Sequence, residues 1–194
     1  MHGSNFDQVK YPYSLDYDFY SNVLFVGDHD NDRIMKYFRN STSGILVAGG
    51  NGRGTNSNQL YAPHAVFFDS LSDSLLIANT GYHNIVWWKL GDSNWTLAAG
   101  NINGTSGSTS TSLYSPTNVK LDPMGNMYVV DRHNHRVQFF LVGEKNGTTI
   151  AGINTKPGSN ATMFSTPISL VLDNQLNLYV TDERNHRVQK FLRY

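Results

Sequence analysis

Short runs of apolar residues alternate with polar turns along the whole chain. In one stretch, apolar and polar positions alternate across residues 118–122, and strand-like runs follow at residues 127–130 and 136–141, with Met124-Gly125-Asn126 between the first two segments. A period of two, together with enrichment in Val, Tyr and Phe, favours β-strands over helices. We find no sustained helical periodicity with capping residues in the sequence. The pattern therefore predicts an all-β chain.

The strand pattern repeats with a period of about 51 residues. Four prolines each open a strand-like segment, with spacings of 51, 53 and 51 residues: Pro12, Pro63, Pro116 and Pro167. A second marker has spacings of 51, 52 and 51 residues: Asp28, Asn79, Asp131 and Asp182. Because two landmarks recur with nearly the same spacing, we interpret the chain as four equivalent modules.

Each complete module is predicted to hold four strands, the last of which ends in Gly49, Gly100 or Gly152. The modules span approximately residues 11–61, 62–114, 115–165 and 166–194, and the last stops before its outer strand. Four-stranded units of this length that cover each other's apolar faces are typical of β-propeller blades. We expect residues 1–194 to form a single propeller domain.

Two modules carry closely matching strings, MYVVDRHNHRVQFF at residues 127–140 and LYVTDERNHRVQKF at residues 178–191. These strings resemble the NHL repeat, in which a strand ends in Asp, a turn contains Asn-His, and the next strand opens with Arg and Ile or Val. The first module matches more loosely, and in the second Asn79 and Asn84 replace the Asp and the Arg. The resemblance implies a propeller, commonly of six blades, that presents a face to partners. We therefore expect an open arc of a larger ring, with a closed four-bladed ring as the alternative.

The recurring acid and base are expected to be structural. A tight turn can bring a carboxylate and a guanidinium into a charge-assisted hydrogen bond. The predicted turn pairs are Asp28 with Arg33, Asn79 with Asn84, Asp131 with Arg136, and Asp182 with Arg187. Acid and base are both replaced in the second module, which is expected of a paired role and not of independent catalytic roles.

No catalytic, cofactor-binding or metal site is predicted. His135 and His186 lie at equivalent turns of different modules, where radial repetition would keep them apart. His64 follows Pro63, a position at which the similar peptidylglycine amidating lyase gathers histidines around an axial metal. The corresponding residues of the other modules are not histidine: Tyr13, Thr117 and Ile168. A metal-dependent lyase is therefore the least favoured interpretation.

Composition narrows the alternatives further. The chain has no cysteine, and its 15 Lys and Arg residues balance 15 Asp and Glu residues. Thiolate chemistry is excluded, and no overall field attracts nucleic acid. The sequence Gly49-Gly50-Asn51-Gly52-Arg53-Gly54 lacks the Lys-Ser/Thr step of a phosphate-binding loop and is interpreted as a blade connector.

Exposed contact residues and glycans are the remaining candidates. Trp87 and Trp88 are neighbours on a predicted strand, so one should pack between blades while the other is a possible contact residue. Packing of both in the sheet is the alternative. Five N-x-S/T sequons fall in predicted turns or loops: Asn40, Asn94, Asn103, Asn146 and Asn160.

We expect a non-enzymatic interaction or scaffold module that binds a protein or glycan partner on an extracellular or cell-surface protein. The alternative is a cytoplasmic module that binds RNA or recognises substrates for a ubiquitin ligase, as similar propellers do. No apolar run in the chain is long enough to span a membrane as a helix.

Overall fold

The computed structural model describes residues 3–193, which form four antiparallel sheets. The strands are β1 (Pro12–Asp18), β2 (Val23–Asp28), β3 (Arg33–Phe38), β4 (Ile45–Gly49), β5 (Pro63–Asp69), β6 (Ser74–Asn79), β7 (Asn84–Lys89), β8 (Thr96–Gly100), β9 (Pro116–Leu121), β10 (Met127–Asp131), β11 (Arg136–Phe140), β12 (Thr148–Gly152), β13 (Pro167–Leu172), β14 (Leu178–Asp182) and β15 (Arg187–Phe191).

Each sheet is a meander, in which every strand pairs with the next strand along the chain. Three sheets have four strands, and the fourth consists of β13, β14 and β15. The inner strands β1, β5, β9 and β13 pack against one another in chain order. This is the blade arrangement of a β-propeller, and it confirms the all-β fold class predicted from the repeat. We number the blades 1 to 4 in chain order.

The hydrophobic core lies between the blades. Ile34 and Val66 belong to the cluster between blades 1 and 2, Ile85 and Val119 to the next, and Val137 to the last. Burial of one such side chain stabilises the fold by about 1.5–3 kcal/mol. Because each cluster contains residues from two blades, no blade buries its apolar face by itself.

The first and last blades each leave one face uncovered among the described residues. Leu15 is 65% exposed, whereas Val66, at the corresponding position of blade 2, is 1% exposed. Val188 of blade 4 is 63% exposed, whereas Val137 of blade 3 is 0% exposed. The four blades thus form an arc with two free faces. The six-bladed total stays a prediction.

The helical segments of the described chain are four short 3-10 turns, which the sequence pattern did not predict: His29–Asn31, Thr80–Tyr82, Arg132–Asn134 and Glu183–Asn185. Each turn joins the second strand of a blade to the third. No helix in residues 3–193 is both long and apolar enough to cross a membrane.

A left-handed residue precedes every inner strand. The residues immediately before the four prolines have φ values of 50°, 49°, 51° and 51°: Tyr11, Ala62, Ser115 and Thr166. A side chain disfavours this backbone region, and the residue before a proline normally adopts extended backbone. The bend therefore needs support from neighbouring groups.

Candidate functional site

One end of the propeller carries both the prolines and the 3-10 turns, and we call it the proline face. Here the inner strands begin at Pro12, Pro63, Pro116 and Pro167, and each 3-10 turn connects strands of the same blade. The opposite end carries the hairpin turns between first and second strands, such as the one between β5 and β6. The repeated motif residues and the first residues of the inner strands both lie at the proline face.

The motif acids and bases pair within each blade. Arg33 Nε donates to Asp28 at 2.7 Å, and the corresponding distances are 2.8 Å for Arg136 with Asp131 and 2.9 Å for Arg187 with Asp182. In blade 2, Asn79 Nδ2 donates to Asn84 Oδ1 at 3.1 Å. The three aspartates are fully buried. Pairing satisfies the buried charges, which would otherwise be costly.

The guanidinium groups also hold the loop that leads into each blade. Arg136 Nη2 donates to the carbonyl oxygens of Thr109 and Ser112 at 2.8 and 3.1 Å. The second carboxylate oxygen of Asp131 accepts the backbone N–H of Tyr114 at 2.7 Å. The Asp–Arg pair of blade 3 therefore fixes the approach to Pro116, and its polar atoms are occupied by structural bonds.

The motif histidines join one blade to the next. His83 Nδ1 accepts the backbone N–H of Ser115 at 3.1 Å, and His135 Nδ1 accepts that of Thr166 at 3.1 Å. Burial lowers the pKa of both histidines, which keeps the accepting nitrogen unprotonated. In blade 1, Asp32 Oδ1 makes the equivalent bond to Ala62. These bonds support the left-handed residues Ala62, Ser115 and Thr166 before three of the prolines, while His186 of blade 4 is exposed.

Two positions in each blade differ in residue type from blade to blade. The first residues of the 3-10 turns are His29, Thr80, Arg132 and Glu183. The residues after the prolines are Tyr13, His64, Thr117 and Ile168. Contacts between blades link members of these two sets, and all of them except the buried Thr117 are partly or fully exposed on the proline face.

An aromatic cluster occupies the side formed by blades 1 and 2. The rings of Tyr13 and His64 stack with centroids 4.7 Å apart, and the His29 ring meets Tyr13 edge-on at 4.9 Å. His64 Nδ1 lies 2.9 Å from the carbonyl oxygen of Thr117. Burial lowers the pKa of His64 to about 4, so the ring is neutral near pH 7.

An ion pair occupies the side formed by blades 3 and 4. Arg132 Nη2 donates to Glu183 Oε2 at 2.9 Å, with side-chain exposures of 31% and 45%. Nearby, the rings of Tyr114 and His133 meet at 4.8 Å. Exposed ion pairs contribute little to stability, so this pair is available for contacts with other molecules.

A cavity of about 270 Å³ lies on the axis, and all four inner strands line it. Lys120 Nζ reaches across it to Asp16 Oδ1 at 3.2 Å. Asn118 Oδ1 is buried without a hydrogen-bond partner among the described residues. The cavity is polar, and side chains from opposite blades constrict it.

The structure brings no metal-binding constellation together in residues 3–193. No three His, Cys, Asp or Glu side chains there are arranged to hold an ion. His64 has a neighbouring histidine, His29, but their ring centroids are 6.3 Å apart. The His64–Thr117 bond also uses one of the two ring nitrogens.

The other sequence candidates lie away from the axis. Trp88 is 3% exposed in the core cluster between blades 1 and 2, whereas Trp87 is half-buried between blades 2 and 3. All five sequon asparagines are exposed: Asn40, Asn94, Asn103, Asn146 and Asn160.

Sequence reasoning did not select His29, Arg132 or Glu183. A usable signal was present, because these residues occupy one aligned position of the repeat and differ in charge. The recurring residues of the repeat form the structural corners, and these variable positions lie beside them.

Comparison with known proteins agrees with the repeat interpretation. The model of the NHL repeat matches residues 113–140 and 164–191, which contain the motif strings of blades 3 and 4. NHL repeat-containing protein 2 of Homo sapiens is 35% identical over 97 residues, which cover 48% of this chain and 13% of that protein. Protein SUPPRESSOR OF QUENCHING 1, chloroplastic, of Arabidopsis thaliana is 24% identical over 207 residues, which cover 92% of this chain and 19% of that protein.

The chain spans a fifth or less of the length of these curated relatives, with shares of 19% and 13%. Among solved structures, a protein of unknown function from Bacteroides thetaiotaomicron matches with a TM-score of 0.75 at 13% identity. That match covers 92% of this chain and 46% of the other. It shows the shared propeller fold.

Proposed function

We propose that this NHL-repeat β-propeller chain is a binding module and that its proline face recognises a polypeptide partner. The observation that carries the proposal is that the recurring and the variable positions of the repeat differ in their contacts. Recurring Asp, Arg and His side chains are occupied by bonds that hold loops and blades together. The side chains beside them differ between blades and, apart from the buried Thr117, are partly or fully exposed, which is typical of binding positions on a repeat scaffold.

The chemistry of the face suits a polypeptide. Tyr13 is 56% exposed and stacks on His64, while Arg132 and Glu183 form a partly exposed ion pair on the side of blades 3 and 4. Aromatic anchors and Arg are enriched where protein interfaces concentrate their binding energy. The balanced charge of the chain offers no comparable attraction for a phosphate backbone.

A display library of random linear peptides, selected against the chain, tests the proposal. We expect Tyr13→Ala and Glu183→Ala to weaken selected peptides about tenfold, which corresponds to the loss of one good contact. The matched control is Leu71→Ala, because Leu71 is 93% exposed at the opposite end, in the turn between β5 and β6. Equal binding by all three variants would rule out the proline face. Strongly salt-dependent binding of a mixed-sequence single-stranded RNA would favour the nucleic-acid alternative.

We also propose an extracellular or cell-surface location, because all five sequons lie on exposed turns or loops that can accept glycans. Expression with a secretion signal, followed by glycosidase treatment, should give a mobility shift. An unchanged mobility would count against this location.

A further inference from the structure

A wide groove separates the hairpin ends of blades 2 and 3, both of which have all four strands. It has a volume of about 430 Å³ and is lined by Trp87 and Thr96 of blade 2 and by Leu121 and Val142 of blade 3. The hairpin residue Ser72 also lines it, so the groove lies at the end opposite the proline face. Its volume is within the range of roughly 300–1,000 Å³ that is typical of sites for small molecules.

Trp87 forms an aromatic wall of this groove and is half-buried. The indole N–H groups of Trp88 and Trp95 donate to backbone carbonyl oxygens at 2.9 Å. Trp87 makes no such bond within residues 3–193, so its N–H is available to a ligand. The rim of the groove is polar, because Lys89 and Asp92 line it and are exposed. An aromatic wall with a hydrogen-bonding rim suits a saccharide, whose rings have apolar C–H faces and polar edges.

An attachment point for a saccharide lies in the same groove. Asn94 is exposed, lines the groove and begins the sequon Asn94-Trp95-Thr96. Ser57 Oγ donates to Asn94 Oδ1 at 2.7 Å, and the carbonyl oxygen of Ser57 accepts the backbone N–H of Trp95 at 2.8 Å. Neither bond uses Asn94 Nδ2, which is the atom to which an N-linked glycan is joined. The asparagine is therefore held in place with its reactive nitrogen unoccupied by these bonds.

Blade 3 repeats this arrangement. Asn146 begins a sequon at the corresponding position, and Ser110 Oγ donates to its Oδ1 at 3.2 Å. The threonine of this sequon, Thr148, lies opposite Phe139, as Thr96 lies opposite the tryptophan of blade 2. Two blades thus place an aromatic ring directly across from the threonine of a sequon.

Blade 1 has neither feature. Lys36 takes the position of the aromatic residue and lies opposite Ile45, while Ser43 takes the position of the asparagine. The sequon and the aromatic ring therefore occur together in blades 2 and 3 and are both missing from blade 1. This is expected if the ring and the glycan contact each other.

We propose that an N-linked glycan on Asn94 folds back into the groove and packs the C–H faces of its innermost sugars against the indole ring of Trp87. In the transfer, Nδ2 forms a bond to C1 of an oligosaccharide and gives up one proton to a base of the transferase. The bond between C1 and the pyrophosphate of a lipid carrier breaks, and its electron pair leaves with the pyrophosphate. Oδ1 is unchanged, so the bond from Ser57 persists. The proposal rests on the extracellular or cell-surface location and uses no residue of the proline face.

Two full-length chains with a single sequon each test the proposal. One keeps Asn94 and the other keeps Asn103, and the remaining sequon asparagines are changed to Gln. Asn94 precedes the outer strand β8 and Asn103 follows it, so the control glycan leaves from the other end of the same strand. Both chains are produced with a secretion signal in a eukaryotic host, and mass spectrometry measures the occupancy of each asparagine.

We expect an endoglycosidase that cuts between the two innermost sugars to act about threefold to tenfold more slowly on the Asn94 glycan, the factor for one aromatic contact. Trp87→Leu, which keeps an apolar side chain in the groove, should remove this difference. In NMR spectra, the sugar protons of the Asn94 glycan should be shifted upfield by the indole ring, and those of the Asn103 glycan should not.

An unoccupied Asn94 beside an occupied Asn103 would overturn the proposal and leave the proposed location standing. Equal cleavage of the Asn94 glycan in Trp87→Leu and its parent would also overturn it, as would unshifted sugar protons. If Trp87→Leu did not fold, the NMR shifts of the parent chain would still decide, because they require no substitution in the groove. Failure of both asparagines to carry a glycan would refute the proposed location together with the glycan contact.

Discussion

At each corner of the proline face, one side-chain oxygen accepts a backbone N–H from the loop before the proline. Asp131 accepts from Tyr114 at 2.7 Å and Asp182 accepts from Ser165 at 2.6 Å. Asn79 makes the same bond to Tyr61 at 2.7 Å, because an amide oxygen accepts as a carboxylate does. With a neutral acceptor in place, blade 2 has no charge to balance. This accounts for Asn84 at the position where the other blades have Arg.

His64 should make stability depend on pH. Its folded-state pKa is about 4 because burial disfavours the charged ring, whereas the unfolded chain has the ordinary value near 6.5. The unfolded state therefore binds more protons between these values, and the free energy of unfolding falls as the pH falls through that interval. The loss is at most about 3 kcal/mol for this pKa difference. Urea unfolding at a series of pH values, compared with His64→Gln, measures it.

Tyr13→Phe is the matched control for this experiment, since it keeps the ring that stacks on His64 and leaves the imidazole in place. We expect it to retain the pH dependence of the parent chain. If His64→Gln were as sensitive to pH as the parent chain, the lost stability would have to come from other groups.

At the level of single residues, sequence indicated the partners within a turn and not those across loops. Asp131 and Arg136 are five positions apart, so a tight turn was enough to suggest their pairing. The bonds from Arg136 to Thr109 and Ser112 span 27 and 24 positions. They depend on how the loop packs, which periodicity does not describe.

At the level of elements, the outer strands depend on a backbone conformation that only glycine adopts easily. Gly152 has a φ of 83°, and an added Cβ would collide with the carbonyl oxygen of His135. Gly143 has a similar φ of 79°, yet nothing lies within 4 Å of an added Cβ. The two glycines therefore separate the cost of conformation from the cost of collision.

Gly152→Ala should destabilise the fold far more than Gly143→Ala. We expect about 1 kcal/mol for Gly143→Ala from the left-handed backbone alone. We expect at least about 3 kcal/mol for Gly152→Ala, because the collision with a backbone atom forces β12 away from β11. Urea unfolding of the two variants beside the parent chain gives both values. Similar losses would mean that the corner can shift to admit a side chain.

The strands could be predicted because their enrichment in Val, Tyr and Phe extends over several residues, as in β10 and β11. The 3-10 turns could not, since Arg132–Asn134 is too short to show a period. The sequence marked this segment only as polar. The left-handed residue that follows the turn, His135, became evident only from the backbone.

At the level of the whole molecule, the interior blades and the end blades carry the same positions in different surroundings. Val66 is 1% exposed between blades 1 and 2, while Leu15 occupies the same position of blade 1, borders the axial cavity and is 65% exposed. The contribution of an apolar side chain to the free energy of unfolding depends on the area that it removes from water.

Val66→Ala should therefore cost about 2 kcal/mol, although it removes fewer carbons than Leu15→Ala. Leu15→Ala should change stability by no more than about 0.5 kcal/mol, as is typical of exposed substitutions. Thermal or urea unfolding of both variants measures the difference. A large loss in Leu15→Ala would show that another surface covers blade 1 in solution, and sedimentation would then detect self-association.

The repeat period predicted the propeller arrangement, because nearly equal spacing of the four prolines indicates that the chain consists of equivalent blades. Which side chains meet on the axis could not be predicted in the same way. Lys120 and Asp16 come from blades 3 and 1, and their contact depends on the curvature of the arc. Curvature arises from the packing of all the blades and has no local signature in the sequence.

The residues before the prolines limit how the protein can be divided. Ser115 and Thr166 hold an unfavourable backbone angle because a histidine of the preceding blade accepts their N–H groups. A blade excised alone would lose that histidine acceptor. The residue before its proline would then have no bond to stabilise its left-handed backbone. Gene fragments that encode a single repeat should thus yield insoluble or unfolded products. Fragments that encode two adjacent repeats keep at least one bond between blades that supports the residue before a proline. The smallest fragment of this propeller that we expect to fold therefore contains two adjacent blades and the junction between them.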